Sequence, residues 1–110
     1  MNAVLMSPAI ATCYHIYGVC DGHNLCLFVD YLADDLTDHK RELLKRLRHS
    51  TDDALRRWHN SANLRDIDIF EIDCVDDQDA AQEAVVFWRG HFRALGETII
   101  ADGHLCDRLV

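Results

Sequence analysis

The chain has 110 residues, of which 49 % are hydrophobic and 27 % charged. That balance sets one compact domain and excludes a disordered or low-complexity protein. The net charge of −8 works against whole-molecule attachment to nucleic acid, because a phosphate-backbone binder relies on a net basic face.

Residues 1–11 read as a leader, 12–102 as a single domain and 103–110 as a C-terminal tail. The opening "MNAVLMSPAIATC" has no basic segment, and Ser7 and Pro8 break its apolar stretch. No signal peptide and no membrane span are expected, and the cytoplasm is the expected location. "TCYHIYGVC" and "LCLFVDY" are rich in aromatic and β-branched residues, and "DGHN" between them supplies turn chemistry. Residues 12–31 are therefore expected as a β-hairpin.

Asp34, Asp35 and Thr37 are N-cap candidates for the next segment, "LTDHKRELLKRLRHS". Its Leu36, Leu43, Leu44 and Leu47 form one apolar helical stripe. Ser50 or Thr51 is expected to cap a second helix with Asp52 and Asp53 in its first turn, Ala54, Leu55, Trp58 and Ala62 facing inward. "RDIDIFEIDCV" alternates as a strand and switches phase between Ile69 and Phe70, which marks a bulge there. "DDQDAAQEAVVFWRGHFRALG" carries the longest helix signal, with Ala81, Ala84, Val85, Trp88, Phe92 and Leu95 as its buried stripe and Gly96 as its stop. "TIIA" is expected as a short final strand. The order β-β-α-α-β-α-(β), with helices packed on a small antiparallel sheet, defines an α+β fold.

Charge is distributed unevenly. From Asp66 to Glu83 there are eight acidic residues and no basic one. Within that run Asp66, Asp68, Asp76, Asp77, Asp79 and Glu83 are the candidate partner-binding residues, since they exceed what helix capping requires. From Leu36 to Trp58 seven basic residues face four acidic ones. Lys40, Arg41, Lys45, Arg48, Arg56 and Arg57 there form an alternative nucleic-acid stripe, weighed against a solvated helix face. Five cysteines make an odd number, so reduced thiols are the expectation. Cys20, His23 and Cys26 at even spacing are ligand types for zinc, but a structural site wants four ligands, the fourth coming from Cys13, Cys74, His104 or Cys106, and hairpin packing is preferred over metal.

Beyond these patterns, the segment from about Tyr14 to Asp102 resembles the GIY-YIG nuclease domain. "HIYGV" is similar to the GIY strand, with Tyr17 on the first motif tyrosine, and "LFVDY" is similar to the YIG strand. "DLTDHKRELLKRL" resembles the arginine-bearing helix, and His49 lies where some members carry a functional histidine. "AQEAVVFWRGHFRALG" resembles the helix that bears the catalytic glutamate. The resemblance implies the fold and, for active members, Mg²⁺-dependent cleavage in which the tyrosines and arginine orient water and phosphate while the glutamate holds the cation. This chain departs at the chemistry. Phe28 stands at the second tyrosine, Asp30 at the YIG glycine, Val85 at the glutamate and Thr98 or Ile99 at the terminal asparagine.

The first expectation is therefore a binding protein without catalysis: a regulator or inhibitor on a degenerate GIY-YIG-like scaffold, engaging a protein partner through its acidic face, for which a phage or mobile-element origin fits. The alternative is a divergent Mg²⁺ endonuclease using Tyr17, Arg41, His49 and Glu83. A third reading is nucleic-acid binding by the 40–57 stripe. The sequence leaves self-association open.

Overall fold

A computed structural model describes residues 13–21, 26–36, 39–61 and 67–109. Three strands, β1 (Tyr14–Cys20), β2 (Cys26–Leu32) and β3 (Asp68–Val75), form one antiparallel sheet in the order β2-β1-β3. Helices α1 (Lys40–Arg48), α2 (Asp53–Ser61) and α3 (Gln78–Ala94) complete the order β-β-α-α-β-α. This is the expected α+β layout. "TIIA" is not a strand: residues 97–109 hold no regular element.

The sheet is covered on both faces, and the strand alternation decides which side chain meets which layer. Tyr17, Val19, Phe28, Leu32 and Ile69 point to one side and pack with Leu43, Leu47 and Leu55 of α1 and α2. Ile16, Val29 and Tyr31 point to the other and pack with Ala81 and Val85 of α3. Two-sided burial accounts for the phase switch in β3. Ile67 and Ile69 serve the α1–α2 layer, whereas Phe70 and Ile72 serve the α3 layer. The register shift lies further along, with Ile72 as the extra residue where Ile16 and Tyr17 pair with Asp73 and Glu71. Gly18 is required here, because a Cβ on it would sit 2.6 Å from the Phe70 ring.

Helix ends moved from their expected places. Asp52, not Ser50 or Thr51, caps α2 by accepting from Leu55 N at 3.1 Å, while Ser50 Oγ accepts from Asp52 N. The first helix starts at Lys40 with no side-chain cap. Thr37 lies outside the described residues, and Asp34 instead accepts from Leu109 N at 2.6 Å. Asp77 caps α3 through Ala80 N at 2.8 Å, and Gly96 stops it at φ +91° as expected. Leu95, expected inside, is 65 % exposed, as are Val86 (69 %) and Phe87 (63 %).

Strand β2 lies outermost in the sheet, yet every residue in it is buried. The C-terminal segment runs over it: Ile100 N donates to Leu27 O at 2.9 Å, and Ala33 N donates to Asp107 O at 2.7 Å. Leu105, Cys106 and Leu109 from the expected tail pack against the main core.

Candidate functional site

A buried charge network lies where β2 meets the C-terminal segment. Asp30 is 1 % exposed, and its carboxylate accepts from Tyr17 Oη at 3.4 Å and from Leu105 N at 2.8 Å. His104 Nδ1 lies 2.7 Å from Asp30 Oδ1, and its Nε2 lies 2.7 Å from Asp107 Oδ1. The His104 ring stacks on Tyr31 at 4.2 Å. A buried carboxylate must be paired and hydrogen-bonded, and the Asp30 side chain meets that requirement with three partners. Its hydrogen bond to His104 is the largest cause that raises the histidine pKa, so the charged ring is stabilised relative to a free imidazole.

Arg89 supplies the neighbouring cation. It is buried among apolar neighbours on α3 and donates to Val29 O, Asp102 O and Gly103 O at 2.6–3.1 Å. Asp30, Tyr31, Arg89, Asp102, Gly103 and His104 line a cleft of about 230 Å³. Chemically the network is a clamp. Both His104 nitrogens are taken by carboxylates, Arg89 is spent on carbonyls, and burial holds the Tyr17 pKa well above its ordinary value, with Asp30 adding to the effect. A tyrosine so placed stays a neutral donor and supplies no phenolate. In the sequence Asp30 stands out only at a glycine position of the resemblance and His104 only as a possible fourth zinc ligand, while Arg89 is not singled out. The signal for Arg89 was there: it follows Ala81 and Val85 at the same spacing of four along the buried stripe.

The four residues of the nuclease reading are not brought to one face. Tyr17 is buried beneath α1 and α2, Arg41 and His49 are exposed on and after α1, and Glu83 is exposed on α3, which packs against the other side of the sheet. Val85, at the glutamate position, is buried. His49 borders a groove with Arg46, Ser50, Thr51, His104 and Leu105.

Of the acidic candidates, Asp68, Asp76, Asp77, Asp79 and Glu83 are exposed, and Asp66 lies outside the described residues. Asp68 accepts from Ile69 N and Asp77 caps α3. Asp76, Asp79 and Glu83 form no ion pair among the described residues. The basic stripe is partly neutralised in place. Arg56 and Arg57 both pair with Asp53, and Lys45 pairs with Glu42 at 3.4 Å. Lys40, Arg41 and Arg48 are exposed.

The cysteines depart most from expectation. Cys13 and Cys74 form a disulfide across 61 residues of sequence, which corrects the reading of five reduced thiols. Sequence spacing could not show it, since only the β1–β3 register sets His15 opposite Cys74 and Cys13 beside them. One His15 ring nitrogen and both sulfurs lie within 4.8 Å of one another. His15 Nδ1 meets Glu71 Oε1 at 2.5 Å. Cys20 and Cys26, by contrast, are free, buried and opposite each other at the far end of β1. Burial pushes their thiols up to about 11 and about 12, which disfavours the thiolate that a metal needs. His23, the third residue of that zinc reading, lies outside the described residues.

No known protein family, curated protein or solved structure matches the chain. Among the described residues no helix is long and apolar enough to cross a membrane.

Proposed function

We propose that the chain acts by binding, as a cytoplasmic regulator or inhibitor on a degenerate GIY-YIG-like scaffold, with its acidic rim as the contact face. The observation that carries the reading is the rim itself. Asp76, Asp77, Asp79 and Glu83 are exposed together across the β3–α3 junction and the first turns of α3. Carboxylates concentrated this way repel one another in the free protein and are relieved by a cationic surface. The partner is a protein with a basic groove, of the kind that otherwise holds nucleic acid. Steering by such a rim acts mainly on the association rate and weakens with salt.

Support also comes from what the molecule does with its polar interior. Tyr17, the residue that keeps a motif tyrosine, donates to Asp30, and that carboxylate anchors the C-terminal segment. The one motif tyrosine this chain keeps is employed in holding the fold.

The test is affinity capture from the native host, repeated with Asp76→Lys, Asp79→Lys and Glu83→Lys combined. A basic protein partner retained by the wild type, lost to the triple variant and released by moderate salt is the expected result. Asp77 is left unchanged because it caps α3. A partner retained equally by both forms would remove the rim from the interface. Cleavage of plasmid DNA with Mg²⁺ that Tyr17→Phe and Glu83→Ala abolish would replace binding with nuclease activity.

A further inference from the structure

The Cys13–Cys74 bridge lies in surroundings that a simple structural cross-link does not need. His15 stands beside both sulfurs, with a ring nitrogen inside the 4.8 Å group, and is itself held by a carboxylate. Two sulfurs and an imidazole are a donor set suited to zinc and soft enough to exclude Mg²⁺ or Ca²⁺. The His15–Glu71 contact is the pairing that commonly fixes the tautomer and ring orientation of a zinc-bound histidine. With Nδ1–H donated to Glu71, the lone pair of Nε2 remains for a metal.

Position in the sheet supports the same conclusion. Cys13 immediately precedes β1, and Cys74 pairs with His15 across the β1–β3 ladder. Two of the three ligand-bearing residues are therefore fixed by the ladder hydrogen bonds, whatever the oxidation state of the sulfurs. A tetrahedral zinc site sets its sulfurs roughly 3.8 Å apart, from Zn–S bonds of about 2.3 Å. Rotation about the two Cα–Cβ bonds supplies that opening, and the 6.3 Å Cα separation need not change. Cys74 is exposed, and Cys13 and His15 are half-buried, so solvent can reach the site and a water can fill the fourth position.

We propose that the reduced chain binds one Zn²⁺ through Cys13, Cys74 and His15, and that oxidation of the two cysteines to the disulfide expels it. A dithiol reductant opens the bridge, gives two electrons and two protons to the sulfurs, and becomes a disulfide itself. Zinc then binds as the two thiols lose their protons. In the reverse direction a peroxide takes two electrons from the two thiolates. The S–S bond forms, the peroxide O–O bond breaks, two protons from solvent complete two waters, and Zn²⁺ leaves. The same three residues thus tie β1 to β3 in reducing and in oxidising surroundings, and the metal reports which prevails.

The experiment uses the full chain, reduced with a phosphine and freed of metal, then titrated with Zn²⁺ against a chromophoric chelator and separately with Co²⁺. The expected result is one ion per chain, bound tighter than about 1 µM, with near-ultraviolet sulfur-to-Co²⁺ charge-transfer absorption. The oxidised chain binds neither ion. Cys74→Ser weakens binding at least a hundredfold, His15→Gln at least tenfold, and Glu71→Gln about tenfold, in line with loss of a supporting carboxylate. The double variant Cys20→Ser, Cys26→Ser binds as the wild type does. Peroxide releases the zinc in step with loss of the mass of two hydrogens. Circular dichroism of each variant establishes that it is folded. His15→Gln and Glu71→Gln leave both cysteines in place and test the site even if Cys74→Ser does not fold. A folded, reduced wild-type chain that takes up no zinc overturns the proposal. So does binding that survives Cys74→Ser and His15→Gln, or that disappears only with Cys20 and Cys26.

Discussion

The two ends of β1 carry cysteine pairs of opposite character. Cys20 faces Cys26 across β1 and β2, and both thiols are buried and free. Cys13 and Cys74 bridge β1 and β3 where the sheet opens to solvent, with a histidine and a carboxylate at hand. In sequence the first pair is the conspicuous one, six residues apart with His23 between them, while the second is separated by 61. The difference teaches that environment, not spacing, decides what a cysteine does. Desolvation makes the near pair small apolar fillers, whereas the distant pair lies partly open to solvent beside an imidazole.

The sharpest way to break the comparison is to remove the bridge. Cys13→Ser in the oxidised chain, with a chelator present, is expected to lower stability by about 4 kcal/mol for a loop of this length, read from urea denaturation. Reductant should cost the wild type the same amount and the variant nothing further. On β2, opposite the middle of β1, Asp30→Ala strands the Leu105 amide and His104 and is expected to cost about 3 kcal/mol. Asp30→Asn should cost less, because an acceptor remains. If the two substitutions are equal, the negative charge is what holds the network.

Thiol reactivity comes next. Cys20 and Cys26 should alkylate at neutral pH at least about a hundredfold more slowly than in the urea-unfolded chain, given thiols pushed up to about 11 and about 12. The reduced Cys13 and Cys74 should react within the ordinary range. Equal rates at both ends would dissolve the contrast. The smallest effect is in the pH dependence. The His104 pKa is raised above 6.5 by Asp30, so its contribution is full below pH 6.5 and fades as pH rises through the higher folded value. The His59 pKa is lowered, first by burial, and its Nδ1 has no partner among the described residues. Its contribution is full above pH 6.5 and fades as pH falls below it. Thermal midpoints between pH 5 and 8 should therefore show a shallow maximum near 6.5. His104→Gln should flatten the alkaline side alone.

Much of the fold was legible because local chemistry and tertiary structure agree. The hairpin, the two short helices, β3, α3 and its stop at Gly96 all follow from periodicity and turn residues. What escaped depends on partners far away in sequence. The phase switch at Ile69–Phe70 reads as a bulge only if one face of β3 is assumed open, and α3 covers the other face. Tyr17, Asp30, Arg89 and His104 acquire meaning together, through hydrogen bonds across separations of 13 to 74 residues. The Cys13–Cys74 pair requires the β1–β3 register, which no spacing rule supplies.

The C-terminal segment lying along β2 has a practical consequence for handling the protein. A protease nick after Ala101 would free the residues that accept from Arg89, Leu105 that fills the core, and the partners of Asp30 and Ala33. The bared strand, apolar on both sides, would then offer its unpaired amides and carbonyls to the matching strand of another molecule. Clipped preparations should therefore appear as dimers and fibrils rather than as a shorter monomer.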